Sequence, residues 1–158
     1  MVLIHPVQMI SSQLRPGILD DLGLLGALEW QAQDFQKKTG VLFEVQSDIG
    51  CSDLSRRCCT ELFRIFPETL TNIYRHSGAK RAKVALTGNG ESLTLSVTDN
   101  GRGVSEQNIS AHSSLGFIGM RERVHSLGGV LTISRIPEGG TSIRVVIPWE
   151  ARETGNDD

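Results

Sequence analysis

RAKVALTGNGESLTLSVTD, residues 81–99, reads as a β-hairpin. Ala82, Val84 and Leu86 alternate with polar or small residues, Gly88-Asn89-Gly90 supplies the turn, and Leu93, Leu95 and Val97 alternate again. Strict alternation of this kind marks strands with one buried face, and a glycine-asparagine turn between them fixes the register. After Asp99 the periodicity stops. The segment from Asp99 to Leu115 carries glycine, serine and polar residues with few apolar anchors. An irregular segment of that length is more often functional than accidental. A helix is expected from Phe117 to Leu127, ended by Gly128-Gly129. Two strands follow, Val130 to Ile136 and Thr141 to Pro148, joined by Pro137-Glu138-Gly139-Gly140.

Upstream of the hairpin the pattern turns helical. A long helix is expected from Ser52 or Asp53 to about His76, with Leu54, Cys58, Leu62, Ile65, Thr69 and Ile73 in one stripe. Such spacing places one face against a core. Val41 to Gln46 reads as a short strand. Leu22 to Lys38 reads as a helix with Asp20 and Asp21 as N-cap candidates and Gly40 as its stop. Val7 to Gln13 reads as the end of an earlier helix, broken at Arg15-Pro16-Gly17. Helices followed by strands in antiparallel hairpins predict a two-layer α/β (α+β) sandwich, not a doubly wound parallel sheet.

Composition narrows the function classes. The chain has 158 residues, 39% of them hydrophobic and 22% charged, enough for one domain with its own core. A net charge of −2 speaks against a nucleic-acid binder that works by neutralising phosphates. No apolar run approaches the roughly 18 residues that span a bilayer, and no signal peptide is visible. Cys51, Cys58 and Cys59 contain no C-x-x-C pair, so thiols in a reducing compartment are expected.

Chemistry-bearing residues gather in several places. Glu68, Asn72 and His76 are spaced by four on the long helix, with Arg75 beside them. On an α-helix they share one face, where a carboxylate, an amide and an imidazole suit a hydrated Mg²⁺ and a phosphate. The same pattern also describes a solvated flank. Asp99-Asn100-Gly101-Arg102-Gly103 follows directly on a strand. A carboxylate there accepts a hydrogen bond from the adenine amino group and repels the guanine carbonyl; glycines let backbone approach a ring closely. An ordinary turn has the same composition. Gly116 and Gly119 near a helix start expose amides that favour phosphate, and Arg121 and Arg123 read either as phosphate partners or as surface charges.

Taken together and in this order, the motifs resemble the GHKL ATPase superfamily: gyrases, heat-shock chaperone ATPases, mismatch-repair ATPases and histidine kinases. Glu68-x-x-x-Asn72 resembles the N box, and Asp99 to Gly103 resembles the first glycine box. Gly116-x-x-Gly119-Met120-Arg121-Glu122-Arg123 resembles the second, and Gly139-Gly140-Thr141 the last. Leu14-Arg15-Pro16 with Leu19-Asp20-Asp21-Leu22-Gly23-Leu24 resembles the junction after the dimerisation helices in nitrate- and lipid-sensor type histidine kinases. Leu62-Phe63-Arg64-Ile65 and Arg75-His76 resemble the same branch.

The resemblance implies a Bergerat-type sandwich with a mostly antiparallel mixed sheet, binding ATP and Mg²⁺. It implies that Asn72 ligands the metal and Asp99 holds adenine. Glu68 would act as general base toward the attacking histidine, and Arg75 and His76 would lie near the phosphates. Gly101, Gly103, Gly116, Gly119, Met120 and Thr141 would line the nucleotide, and Val104 to Leu115 would form the lid. Residues 1–22 would be a remnant of the dimerisation helix and junction, 23–150 the ATP-binding catalytic domain, and 151–158 a polar tail.

Two departures qualify this pattern. Pro67 precedes Glu68 and is expected to kink the helix near Phe63 to Phe66, which favours, as alternative, a nucleotide-binding module without phosphotransfer. No histidine suits the acceptor role either: His5 is followed by Pro6, His112 falls in the lid and His125 on the next helix. The acceptor is expected on a dimerisation domain upstream, in a homodimeric parent with a response regulator downstream. The chain alone is expected to be a monomeric, cytoplasmic catalytic module, its parent cytoplasmic or membrane-anchored. A serine-directed anti-sigma kinase or another GHKL ATPase fits the junction and the Gly119-Met-Arg-Glu-Arg123 run less well.

Overall fold

A computed structural model describes residues 17–49, 54–105 and 115–150, without the side chains of His76, Ser77, Leu115 and Gly116. The elements run α1 (Gly17–Thr39), β1 (Leu42–Ser47), α2 (Arg56–Asn72), a π-turn (Ile73–Ser77), β2 (Arg81–Gly88), β3 (Ser92–Asp99), α3 (Leu115–Ser126), β4 (Val130–Arg135) and β5 (Thr141–Pro148). One five-stranded sheet has the order β1-β2-β3-β5-β4. Among the described residues only β1 pairs in parallel, with β2; the pairs β2–β3, β3–β5 and β4–β5 are antiparallel. This is the two-layer architecture expected from the order of elements, with the mostly antiparallel mixed sheet that the resemblance implies.

The helices cover one sheet face. Val84, Leu86, Leu93, Leu95, Val97, Ile143, Val145 and Ile147 bury against Leu24, Leu28, Leu62, Ile65, Phe66, Met120 and Val124. Phe43 of β1 meets Phe35 and Phe66 edge-on, with ring centroids 6.0 and 5.8 Å apart, a favoured aromatic arrangement. The other face, with Thr94, Ser96, Thr98 and Arg144, carries none of this core. The hairpin turn is closed by Asn89, whose Oδ1 accepts the amides of Glu91 at 3.0 Å and Ser92 at 2.8 Å.

Three details differ from expectation. Helix α1 begins at Gly17, so Asp20 and Asp21 lie inside it; the break falls at Gly23, whose φ of 72° is non-helical. That left-handed value is open to glycine without steric cost. Helix α2 is capped by Ser55, whose side chain accepts the Cys58 amide at 3.1 Å, and so starts after Ser52 and Asp53. Pro67 sits within an unbroken α2. A lone proline removes one hydrogen bond, and the packing of Phe63, Ile65 and Phe66, all buried, holds the helix through it.

The departure from α geometry comes instead at Ile73–Ser77, where the backbone widens to a π-turn. Beyond Asn72 the backbone no longer advances by the α-helical rotation that a four-residue spacing assumes, because i→i+5 closure changes it. The expected helix at Val7 to Gln13, the junction motif through Pro16, Cys51, the tail 151–158 and most of the lid lie outside the described residues.

Candidate functional site

Strand β3 places Leu93, Leu95, Val97 and Asp99 on one side, all buried. Asp99 thus occupies a position where the alternation calls for an apolar residue. It is 8% exposed, and among the described residues it makes no ion pair with lysine or arginine. Its Oδ1 accepts the Gly101 amide at 2.8 Å. Burial pushes its carboxyl above the usual value of 3.8, while hydrogen bonds from the Gly101 and Thr141 amides pull it back. A desolvated carboxylate without a cationic partner is costly, and such groups concentrate at functional sites.

The glycines explain how the chain closes around this residue. A Cβ on Gly140 would lie 1.8 Å from the Asp99 carbonyl oxygen, and Gly140 has φ 112°. A Cβ on Gly103, at φ 83°, would lie 2.8 Å from the Gly140 carbonyl. Val104 then donates its amide to Thr141 Oγ1 at 2.9 Å. Residues 99–104 and 139–141 are therefore packed backbone on backbone, with Asp99 beneath. Gly140→Ala should destabilise the chain by at least about 2 kcal/mol, combining a clash with a disfavoured φ; urea unfolding midpoints check this.

Asn72 ends α2 half-buried, and its Nδ2 is buried without a hydrogen-bond partner among the described residues. Unmet polar capacity of this kind costs about 1–3 kcal/mol and calls for a reason in a native fold. The unmet Nδ2 is a donor, which a phosphate oxygen would accept, and turning the amide over would bring its Oδ1 to the same place, where it could ligand a cation. Among the described residues no three His, Cys, Asp or Glu side chains gather as a metal cage. A cation here would take its other ligands from phosphate and water, as Mg²⁺ does. Glu68 stands exposed one turn before Asn72, and Arg75 is exposed on the π-turn. The His76 side chain is outside the described residues.

Gly116 lies in the first turn of α3. Gly119 meets nothing within 4 Å of where a Cβ would stand, so packing gives no reason for glycine there. Met120, by contrast, is 0% exposed and belongs to the core. Arg123 is a fastening charge: Nη1 donates to Glu61 Oε2 at 3.1 Å, and Arg57 donates to the Ser126 carbonyl that ends α3. These contacts tie α3 to α2.

Sequence reasoning missed Asn100. Its Oδ1 accepts the amides of Lys80 and Arg81, each at 2.9 Å. No local signal reveals it, because the partners lie about twenty residues away and belong to another element.

Comparison with known proteins agrees with this geometry. Residues 59–151 match the family model described as histidine kinase-, DNA gyrase B- and HSP90-like ATPase. The chain is 32% identical over 155 residues to the sensor histidine kinase MctS of Rhizobium johnstonii, covering 97% of this chain and 33% of that protein. It is 34% identical over 145 residues to the sensor histidine kinase LiaS of Bacillus subtilis, covering 92% of this chain and 39% of that protein. It therefore spans between a third and two fifths of these relatives' length. Among solved structures, the histidine kinase domain of the Erythrobacter litoralis EL346 blue-light activated histidine kinase superposes with a TM-score of 0.66 at 27% identity. That match covers 80% of this chain and 61% of the other. The sandwich, the buried strand-end carboxylate and the family match lead to one conclusion: the chain belongs to the histidine kinase-, DNA gyrase B- and HSP90-like ATPase family.

Proposed function

We propose that this chain is the ATP-binding catalytic domain of a two-component sensor histidine kinase, transferring the γ-phosphoryl group of ATP to a histidine on a dimerisation domain outside the chain. The observation that carries it is Asp99, a carboxylate on the core face of β3 with amide donors and, among the described residues, no cationic partner. An adenine amino group supplies the hydrogen bond such an acceptor lacks. Asn72, with its unmet amide, is the proposed ligand of Mg²⁺, which when bound supplies charge neutralisation at the phosphate oxygens. Glu68, exposed to an incoming partner, would accept the imidazole proton as the ring nitrogen attacks phosphorus in line. Arg75 adds positive charge beside the phosphates. Gly101, Gly103, Gly116, Gly119 and Thr141 would line the nucleotide.

Pro67 is the feature that would favour a non-catalytic module, and it leaves α2 intact. No helix among the described residues is long and apolar enough to cross a membrane. The proposed partners are the histidine-bearing domain of a homodimeric parent and, downstream, a response regulator; nucleic acid is not among them.

The test supplies a histidine-bearing dimerisation segment in trans with labelled Mg·ATP. Acid-labile, base-stable label is expected on the added segment and none on this chain. Label on the chain itself, acid-stable label, or no transfer at all would overturn the assignment.

Gly119 gives a separate check. Gly119→Ala should stabilise the nucleotide-free chain by about 0.5–1 kcal/mol, because glycine is a poor helix residue and the new methyl group meets open space. If that space receives nucleotide, the same variant binds ATP more weakly. Denaturant unfolding and calorimetry on one preparation separate the two effects.

A further inference from the structure

The residue after Asp99 is fastened to the start of β2, a few residues beyond the helix end and π-turn that carry Asn72 and Arg75. Asn100 Oδ1 accepts two successive amides, Lys80 and Arg81, at 2.9 Å each, and the Asn100 backbone N–H donates to the Arg81 carbonyl at 3.1 Å. Those amides lie two and three residues beyond Gly78, the left-handed residue (φ 60°) that ends the π-turn. The Arg102 guanidinium lies over the same glycine, its Nη2 3.8 Å from where a Cβ would stand. So the residue next to the buried carboxylate holds the start of β2, and Arg102 covers the end of the π-turn.

We infer that Asn100 is a positioning residue, which fixes the π-turn and the Asn72–Arg75 segment relative to Asp99 so that base and phosphates are held in one geometry. The inference rests on the nucleotide reading above. The chemistry at position 100 is specific. An amide oxygen has two lone pairs and accepts both amides; a carboxylate does the same, a serine hydroxyl reaches at most one, and alanine accepts neither. Asn100, Lys80 and Arg81 are all exposed, so water replaces the lost acceptor. The consequence of losing Asn100 is therefore misplacement of the segment, with little loss of the fold.

This separates positioning from structural support. In Asn100→Ala, hydrogen exchange of the Lys80 and Arg81 amides should lose protection, and exchange across Ile73–Ser77 should quicken about tenfold, without nucleotide. Calorimetry should then show ATP bound about tenfold more weakly and adenosine within about twofold of the unmutated chain, since only the phosphate end is misplaced. Asn100→Asp should restore ATP binding to within about threefold. If the alanine variant lacks a cooperative melt, Asn100→Ser carries the same comparison. Equal losses for adenosine and ATP, no loss for either, or a folded Asp variant that fails to rescue would each overturn the inference. An unmutated chain that takes up neither adenosine nor ATP would instead overturn the nucleotide reading itself, and that is seen before any variant is made.

Discussion

Asp99→Asn is expected to weaken ATP binding at least about a hundredfold while leaving the melting temperature unchanged or raised. The first half follows from charge-assisted hydrogen bonding. A buried carboxylate accepting from an amino group makes one of the stronger polar contacts available, and its amide replacement turns a donor toward a donor. The second half follows from the cost of the carboxylate. Asp99 is buried without a cationic partner among the described residues, and burial holds its carboxyl above 3.8. An isosteric amide removes that desolvation penalty and keeps an oxygen for the Gly101 amide. Loss of function with retained stability is the mark of a residue kept for binding. Adenine-over-guanine discrimination should relax in the same variant, because an amide no longer repels the guanine carbonyl.

The same residue sets a pH dependence with opposite signs for binding and stability. Between 3.8 and the raised folded-state value, the folded chain holds a proton on Asp99 that the unfolded chain has released. Stability from this group therefore falls as pH rises through that window and grows as pH falls. ATP binding needs the ionised carboxylate and so weakens as pH falls through the folded-state value. Calorimetric titrations and melts across mildly acidic pH, compared with Asp99→Asn, isolate this contribution.

Asn72→Ala should reduce phosphotransfer to a supplied histidine segment by at least about a hundredfold, the usual range for removing one transition-state stabiliser. Adenosine affinity should stay within about threefold, since the base end is untouched. Its Nδ2 is buried and unpartnered among the described residues, so truncation removes an unmet polar group and the fold should not weaken appreciably. A variant that melts normally, binds adenosine and fails to transfer phosphate would place Asn72 at the metal. A variant that loses adenosine as well would assign it a structural part.

The sheet was legible because its period is short. Alternation in residues 81–99 leads directly to β2 and β3, while the turn falls later than Gly88-Asn89-Gly90, since Gly88 still pairs with Leu93. The core position of Asp99 can be read by continuing the parity of Leu93, Leu95 and Val97. What local pattern does not carry is contact between distant segments. Asn100 reaches Lys80 and Arg81 from another element, and Arg123 reaches Glu61 across 62 positions. The π-turn at Ile73–Ser77 is invisible to a helical periodicity that assumes constant rotation. The Gly23 break is likewise a matter of backbone dihedral at one residue. Pro67 shows the converse: its local cost is real, and buried neighbours on α2 override it.

The most direct test is a calorimetric titration of the folded, unmutated chain with Mg·ATP and, separately, Mg·GTP. A single site taking up the adenine nucleotide, with no heat from the guanine one, is the expected result. A folded chain that takes up neither, or both alike, would contradict recognition of the base by Asp99 and with it the kinase assignment.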